Sequence, residues 1–251
     1  MAGLSRSTEQ RHVQKASPVE PPLLSFYRFF PADRPFPTVT ITSTPNEDFM
    51  YSGLESCFNE SVALRFLQAH VKGDVATPFR SFLSSFRENH LVPTEHTAFW
   101  FRISIKLKST KPYDIPEWHQ DGSTWDTGPE DMPYKVGTVL LGDPTLFLEP
   151  KEEYPLMLRQ SYERVWNPSY SKEKDDMERL WRAEQFKKAK VLYGKPGELI
   201  RWVIASEKFA VVHSEPPVHG PRIFVEVQPG TEAQIRELCR RWGRVFVDGK
   251  K

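Results

Sequence analysis

With 251 residues, 39% of them apolar and 13% aromatic, the chain is long enough to bury a real core in one β-rich domain, a class that often runs to about 200–250 residues. Its 34 basic and 33 acidic side chains leave a formal charge of +1, so no global field recruits a polyanion; nucleic acid is not favoured as a partner, and clusters such as Lys187, Lys188 and Lys190 or Arg240, Arg241 and Arg244 read as solvated faces. Only Cys57 and Cys239 are present, which excludes a disulfide framework; no run approaches about 18 apolar residues or forms a signal-peptide core, so a cytoplasmic or nuclear protein with no membrane segment is expected.

Residues 1–22 are polar and end in Pro18, Pro21 and Pro22, which predicts a disordered tail, with a single domain over 23–251 and order from Leu23. The aromatic and proline-rich SFYRFFPADRPFPTVTITST closes on a β-branched run, an expected edge strand at 39–43. A helix is written in ESCFNESVALRFLQAHVKG, with Val62, Phe66 and Ala69 on one side, Asn59 or Ser61 as N-cap and Gly73 as the stop. A second helix over 77–90 follows from Phe79, Phe82 and Phe86. His70 and His90, near helix ends, are expected to serve the helix dipole or solvent, and His96 to cap or pack.

From 97 onward the pattern is mostly strand. TAFWFRISIKL alternates, with Phe99, Phe101, Ile103, Ile105 and Leu107 on one face. The runs EWHQDG, KVGTVLLG, PTLFLEP, GELIRWVIA, KFAVVHS and PRIFVEVQP follow, punctuated by Gly, Pro and Asp. They are interrupted by a charged helical insertion at 151–190, with Met177, Leu180, Trp181 and Phe186 near helical spacing. A final helix over 231–246 opens on a Thr231/Gln234 capping box and repeats Ile235, Leu238, Trp242 and Val245. The expected class is mainly β with flanking helices (α+β), a sandwich or barrel of the jelly-roll kind.

On a strand, residues i and i+2 face the same way, so His119 and Asp121 form a two-point clamp. A third ligand would complete a 2-His-1-carboxylate triad, which leaves positions open for a co-substrate and O₂. His213, closing KFAVVHS, is the candidate; His219 is a rival but sits in a Pro/Gly turn. Arg222 follows His213 by nine residues, after a turn built from Pro216, Pro217 and Gly220, and offers a planar fork for a carboxylate.

His119-Gln120-Asp121, the distal His213 and Arg222 at the head of the next strand together resemble the Fe(II)- and 2-oxoglutarate-dependent oxygenases. LLGDPTLFLEP looks like the strand pair that follows H-x-D in that superfamily, and KPGELIRW like its later glycine turn, so the resemblance spans about 97–229. It implies a double-stranded β-helix (jelly-roll) core. It further implies Fe(II) bound by His119, Asp121 and His213, with 2-oxoglutarate chelating the metal and its distal carboxylate on Arg222. The reaction implied is oxidation, by default hydroxylation, of an unidentified small molecule, with succinate and CO₂ as co-products. Where the family often has Ser or Thr two residues after the arginine, this chain has Phe224; Tyr134 or Thr138 is expected to supply the hydroxyl instead.

Trp118 and Trp125 flank the clamp as candidate walls of the substrate pocket, packing being the alternative, and Trp202 is read as core. Two other functions stay open. One is a non-catalytic β-helix module binding a partner through 151–190 and the aromatic N-terminal segment. The other is a cupin-type metal enzyme that does not use 2-oxoglutarate, in which Arg222 is structural or holds the substrate's own carboxylate. The insertion is either a lid or a partner-binding element, and the oligomeric state is not encoded in any pattern found.

Overall fold

The alternation of TAFWFRISIKL organises the molecule, because it gives one strand two buried faces of opposite character. The computed structural model describes residues 10–12, 22–90, 95–107, 115–122, 133–205, 208–216 and 220–249; Trp125 and His219 lie outside these. In chain order the elements are β1 (Gln10–His12), β2 (Leu24–Arg28), β3 (Val39–Ile41), β4 (Phe49–Leu54), α1 (Glu60–His70), β5 (Val71–Gly73), α2 (Ala76–His90) and β6 (Ala98–Lys106). There follow β7 (Tyr134–Leu141), β8 (Leu146–Leu148), α3 (Glu153–Trp166), α4 (Lys172–Phe186), β9 (Val191–Tyr193), β10 (Glu198–Val203), β11 (His213–Ser214), β12 (Arg222–Gly230) and α5 (Glu232–Arg241). Seven strands pair antiparallel in the order β1-β2-β10-β7-β12-β6-β4, a second sheet has the order β11-β8-β9, and β3 pairs with β5. The fold is mixed α+β on a large antiparallel sheet.

Phe99, Phe101, Ile103 and Ile105 of β6 share one face with Val225 and Val227 of β12 and with Val136 and Leu140 of β7. Helices α1 and α2 close that face with Leu64, Leu67, Phe79, Phe82 and Phe86. The other face is apolar over β2 and β10, where Leu24, Phe26, Ile200 and Trp202 meet Phe147 and Val211 of the small sheet's side. Over β6 and β12 it is polar: Arg102 pairs in register with Glu226, and Ser104 with Phe224. The far side of the small sheet is covered by the insertion, where Leu148 and Val212 pack with Trp118, Tyr154, Leu158 and Phe186. The layers therefore run helices, large sheet, small sheet, helices. Among the described residues no helix is long and apolar enough to cross a membrane.

Several expectations need correction. Gln10–His12, inside the expected tail, pairs with β2 at the sheet edge, while 1–9 and 13–21 lie outside the described residues. Helix α1 is capped by Asn59 as expected, but buries Ala63, Leu64 and Leu67, a face rotated from Val62, Phe66 and Ala69. EWHQDG is no ladder strand: its one bridge joins His119 to His213. Strands β2 and β4 stand where no strand was expected. Helix α5 has its Thr231/Gln234 capping box but ends at Arg241, because Gly243 takes φ 60° and turns the chain, leaving Val245 exposed.

The largest reversal is in α4. Its buried positions are Arg179, Arg182 and Phe186, whereas Met177 and Leu180 are 66% and 51% exposed. Arginine stems bury readily when the guanidinium finds acceptors, and Arg182 donates to Ser161 Oγ at 3.1 Å and lies 3.6 Å from Asp175. Stability should follow burial rather than hydropathy. Leu180→Ser is expected to change urea stability by less than about 0.5 kcal/mol, and Arg182→Ala to lower it by about 1–3 kcal/mol through lost stem packing and the lost bond to Ser161; the reverse order would place the apolar side of α4 inward.

Candidate metal centre

Pro116 and Gly122 bracket a short extended segment, too short for a ladder, and its one bridge decides where it lies. The His119 N–H donates to the His213 carbonyl at 2.9 Å and the His213 N–H returns the bond to His119 at 2.9 Å. Residues exchanging both bonds project their side chains to the same face, and the two imidazoles lie with centroids 4.3 Å apart. His119 Nδ1 is 2.9 Å from the Glu117 carbonyl and His213 Nδ1 is 3.0 Å from the Val211 carbonyl. A carbonyl only accepts, so each Nδ1 carries the proton and each Nε2 offers its lone pair, the tautomer of a metal-binding histidine.

Asp121, two residues past His119, brings its carboxylate to the same place: Oδ2 lies 3.4 Å from His213 Nε2. Its backbone carbonyl accepts from Ala205, a non-glycine residue at φ 62°, a conformation that costs roughly 1–2 kcal/mol. Among the described residues, His119, Asp121 and His213 are the one group of three or more His, Cys, Asp or Glu with converging ligand atoms, all within 4.8 Å of one another. Donors sharing one ion at bonds of about 2.1 Å stand roughly 3–4 Å apart, so small side-chain torsions close this set. Two imidazole nitrogens and one carboxylate oxygen suit Fe(II) and its divalent first-row neighbours.

The carboxylate is held by more than its backbone. Trp202 Nε1 donates to Asp121 Oδ2 at 3.3 Å, and Lys135 Nζ sits 3.2 Å from Oδ1. With Oδ1 tied to the ammonium, Asp121 can offer a metal one oxygen rather than two. Lys135 reaches on to Glu226 Oε2 at 3.4 Å, Glu226 Oε1 to Arg102 Nη1 at 3.3 Å, and Arg102 Nη2 to Asp48 at 2.6 Å, a file of alternating charge. Burial alone would raise the Asp121 carboxyl; Lys135, His213 and His119 more than reverse it and hold it well below the usual carboxylate range. Burial, then the neighbouring His119, pushes His213 down to about 4, so a neutral imidazole stands beside an ionised carboxylate at neutral pH. Burial opposes the charge on Lys135, and Asp121 and Glu226 restore it, leaving its pKa raised.

Arg222 is buried on the inner face of β12, as alternation against Ile223, Val225 and Val227 requires. Its Nε donates to the Asp143 carbonyl at 3.0 Å and Nη2 to Thr145 Oγ1 at 2.8 Å, while Nη1 lies 4.0 Å from Glu215. Its guanidinium stands 4.7 Å from the centroid of the Phe224 ring. Tyr134 and Thr138 are not beside it. Even-numbered residues of β7 face the α1–α2 side, where Tyr134 stacks under Arg201 and Thr138 donates to the Glu198 carbonyl at 2.9 Å. The hydroxyl next to Arg222 belongs to Thr145.

Trp118 points away from the clamp and packs edge-on against Phe186 at 6.3 Å, so it is a wall of the insertion's core. Trp202, expected to be core alone, is both core and hydrogen-bond donor to Asp121. Lys135, Glu226 and Thr145 escaped the sequence reading. The first two carried a usable signal, a charge set in an otherwise largely apolar strand run, KVGTVLL and RIFVEV, which must find a partner once buried. Lys135→Met is expected to lower urea stability by about 3–5 kcal/mol, since it strands the largely buried Asp121 carboxylate and leaves Glu226 with Arg102 alone; a loss below about 1 kcal/mol would mean that the ammonium is solvated.

No family model and no curated protein matches the chain. Among solved structures it is similar to a candidate oxygenase from Shewanella oneidensis, at 9% identity over 89% of this chain and 72% of that one, with a TM-score of 0.31. At that level the likeness fixes neither fold nor chemistry.

Proposed function

We propose that the protein is an Fe(II)- and 2-oxoglutarate-dependent oxygenase that oxidises, by default hydroxylates, a small organic substrate, on a double-stranded β-helix core. The observation that carries this reading is the convergence of His119 Nε2, His213 Nε2 and one Asp121 oxygen, with both Nδ1 atoms tied back to carbonyls. The facing sheets that hold the triad between them support the core assignment.

When bound, Fe(II) with 2-oxoglutarate and O₂ supplies the oxidising chemistry. The chain's own residues do the rest. His119, Asp121 and His213 would hold the ion through two imidazole nitrogens and one carboxylate oxygen. Lys135 and Trp202 fix the carboxylate so that it contributes a single oxygen. Phe147 and Trp202 pack against the His213 ring at 5.8 and 5.6 Å and keep water off that ligand. Arg222, with Thr145 beside it, faces the same interior and offers a guanidinium whose present carboxylate neighbour, Glu215, is 4.0 Å away. A 2-oxoglutarate carboxylate would give that fork a closer anion.

Anaerobic titration tests the reading. Fe(II) followed by 2-oxoglutarate is expected to produce the weak visible charge-transfer band of a metal-bound 2-oxo acid, and Asp121→Ala to abolish it. Arg222→Met is expected to weaken 2-oxoglutarate binding by about 2–5 kcal/mol, orders of magnitude in the constant, with Fe(II) affinity retained. Arg222→Lys should recover part of the loss, an ammonium lacking the bidentate fork. Metal binding without response to 2-oxoglutarate would favour the cupin-type reading, and no metal binding the non-catalytic module.

A further inference from the structure

The metal-bearing segment is held less by the sheets than by the insertion. Among the described residues, 115–122 has one backbone bridge, His119 with His213, and one further backbone bond, from Ala205 to the Asp121 carbonyl. Residues on its other side all meet the α3–α4 hairpin. Arg179 of α4 donates from Nη2 to the Ile115 carbonyl at 2.7 Å, and its Nη1 lies 3.8 Å from Glu117 Oε2. The Trp118 indole is seated among Phe186, Tyr154 and Leu158. Arg182 lies 5.3 Å from the centroid of the Tyr162 ring, and the Tyr162 hydroxyl reaches the backbone of Gln120. Contacts from 115, 117, 118 and 120 thus go to the hairpin, while the side chains of 119 and 121 converge with His213.

We infer that the α3–α4 hairpin is the mould for the His119–Asp121 segment and that Arg179 is a positioning residue for the metal site. The consequence for metal rests on the proposed function; the positioning itself does not. Glu117 is the link: its carboxylate is near Arg179 and its carbonyl accepts from His119 Nδ1, so moving Glu117 turns the imidazole. Burying two guanidiniums while Met177 and Leu180 stay exposed is poor use of a helix for stability alone. It is good use for aim, because a planar fork fixes a carbonyl and a carboxylate together.

The test uses the full-length protein with Arg179→Met and Arg179→Lys, read in two ways. Hydrogen exchange in metal-free protein is expected to speed up in peptides spanning 115–122 in Arg179→Met, with β6 and β12 unchanged. Anaerobic Co(II) titration is expected to show affinity reduced by about 10–100-fold, the usual effect of losing an outer partner of a ligand, with an altered d–d spectrum, and Arg179→Lys should recover part of it. Wild-type exchange and wild-type Co(II) affinity in Arg179→Met overturn the inference. If that variant does not fold, Arg179→Lys decides, wild-type values on both readouts being the overturning result. A wild-type protein that binds no Co(II) sinks the metal reading, and the exchange measurement still decides the positioning.

Discussion

One pair of backbone hydrogen bonds, between His119 and His213, is the constraint on which the site depends. It joins residues 94 positions apart and brings both imidazoles to one face. Alternation then supplies Asp121 without further design, because i and i+2 share that face. The bridge is short, and each histidine has little ladder around it: β11 is two residues long, and the segment of His119 belongs to no named strand. Precision at the triad must therefore come from what surrounds the bridge. That surrounding is a tight apolar wall of Phe147, Trp202 and Val211 on one side and the helical insertion on the other.

The file Asp121, Lys135, Glu226, Arg102 and Asp48 is the second organising feature. Each charge has an opposite neighbour within 3.4 Å, which is the condition under which buried charge is tolerated at all. Such a file gives little net stability, since desolvation offsets most of the attraction. Its effect is directional. Lys135 competes with a cation for Asp121 Oδ1 while leaving Oδ2 turned to His213. The ammonium thereby neutralises one oxygen of the carboxylate and fixes which oxygen is turned toward the two imidazoles.

Much of the site could be read from the sequence because it depends on period-two alternation and on order along the chain. His119, Asp121, His213 and the inward direction of Arg222 all follow from those two rules, and the structure brings the two imidazoles and the carboxylate together. What could not be read depends on contacts between distant elements. Tyr134 and Thr138 offer hydroxyls, yet even positions of β7 face the opposite layer, and the strand's parity is set by partners the alternation of β7 alone does not name. Thr145, three residues beyond Gly142, reaches Arg222 only because the chain turns back over the start of β12. Strands β2 and β4 were hidden by prolines and glycines at their ends, although β2 supplies Leu24 and Phe26 to the wall behind the triad.

Helix α4 shows why hydropathy misplaced a whole face. Met177 and Leu180 recur at the spacing of a buried stripe, and Arg179 and Arg182 recur at the same spacing two residues further on. Apolar area decides such a contest only when the partner surface is apolar. Here the partner is the extended segment 115–120, whose exposed carbonyls and Glu117 carboxylate need donors that no strand supplies. The Arg179 guanidinium meets that need, Arg182 ties α4 to α3 through Ser161, and the apolar stripe is turned to solvent as the cost. The inverted helix and the unladdered His119 segment are thus two sides of one accommodation: a strand too short to satisfy its own backbone is held by an arginine, and the helix that carries it must face inward with its charges.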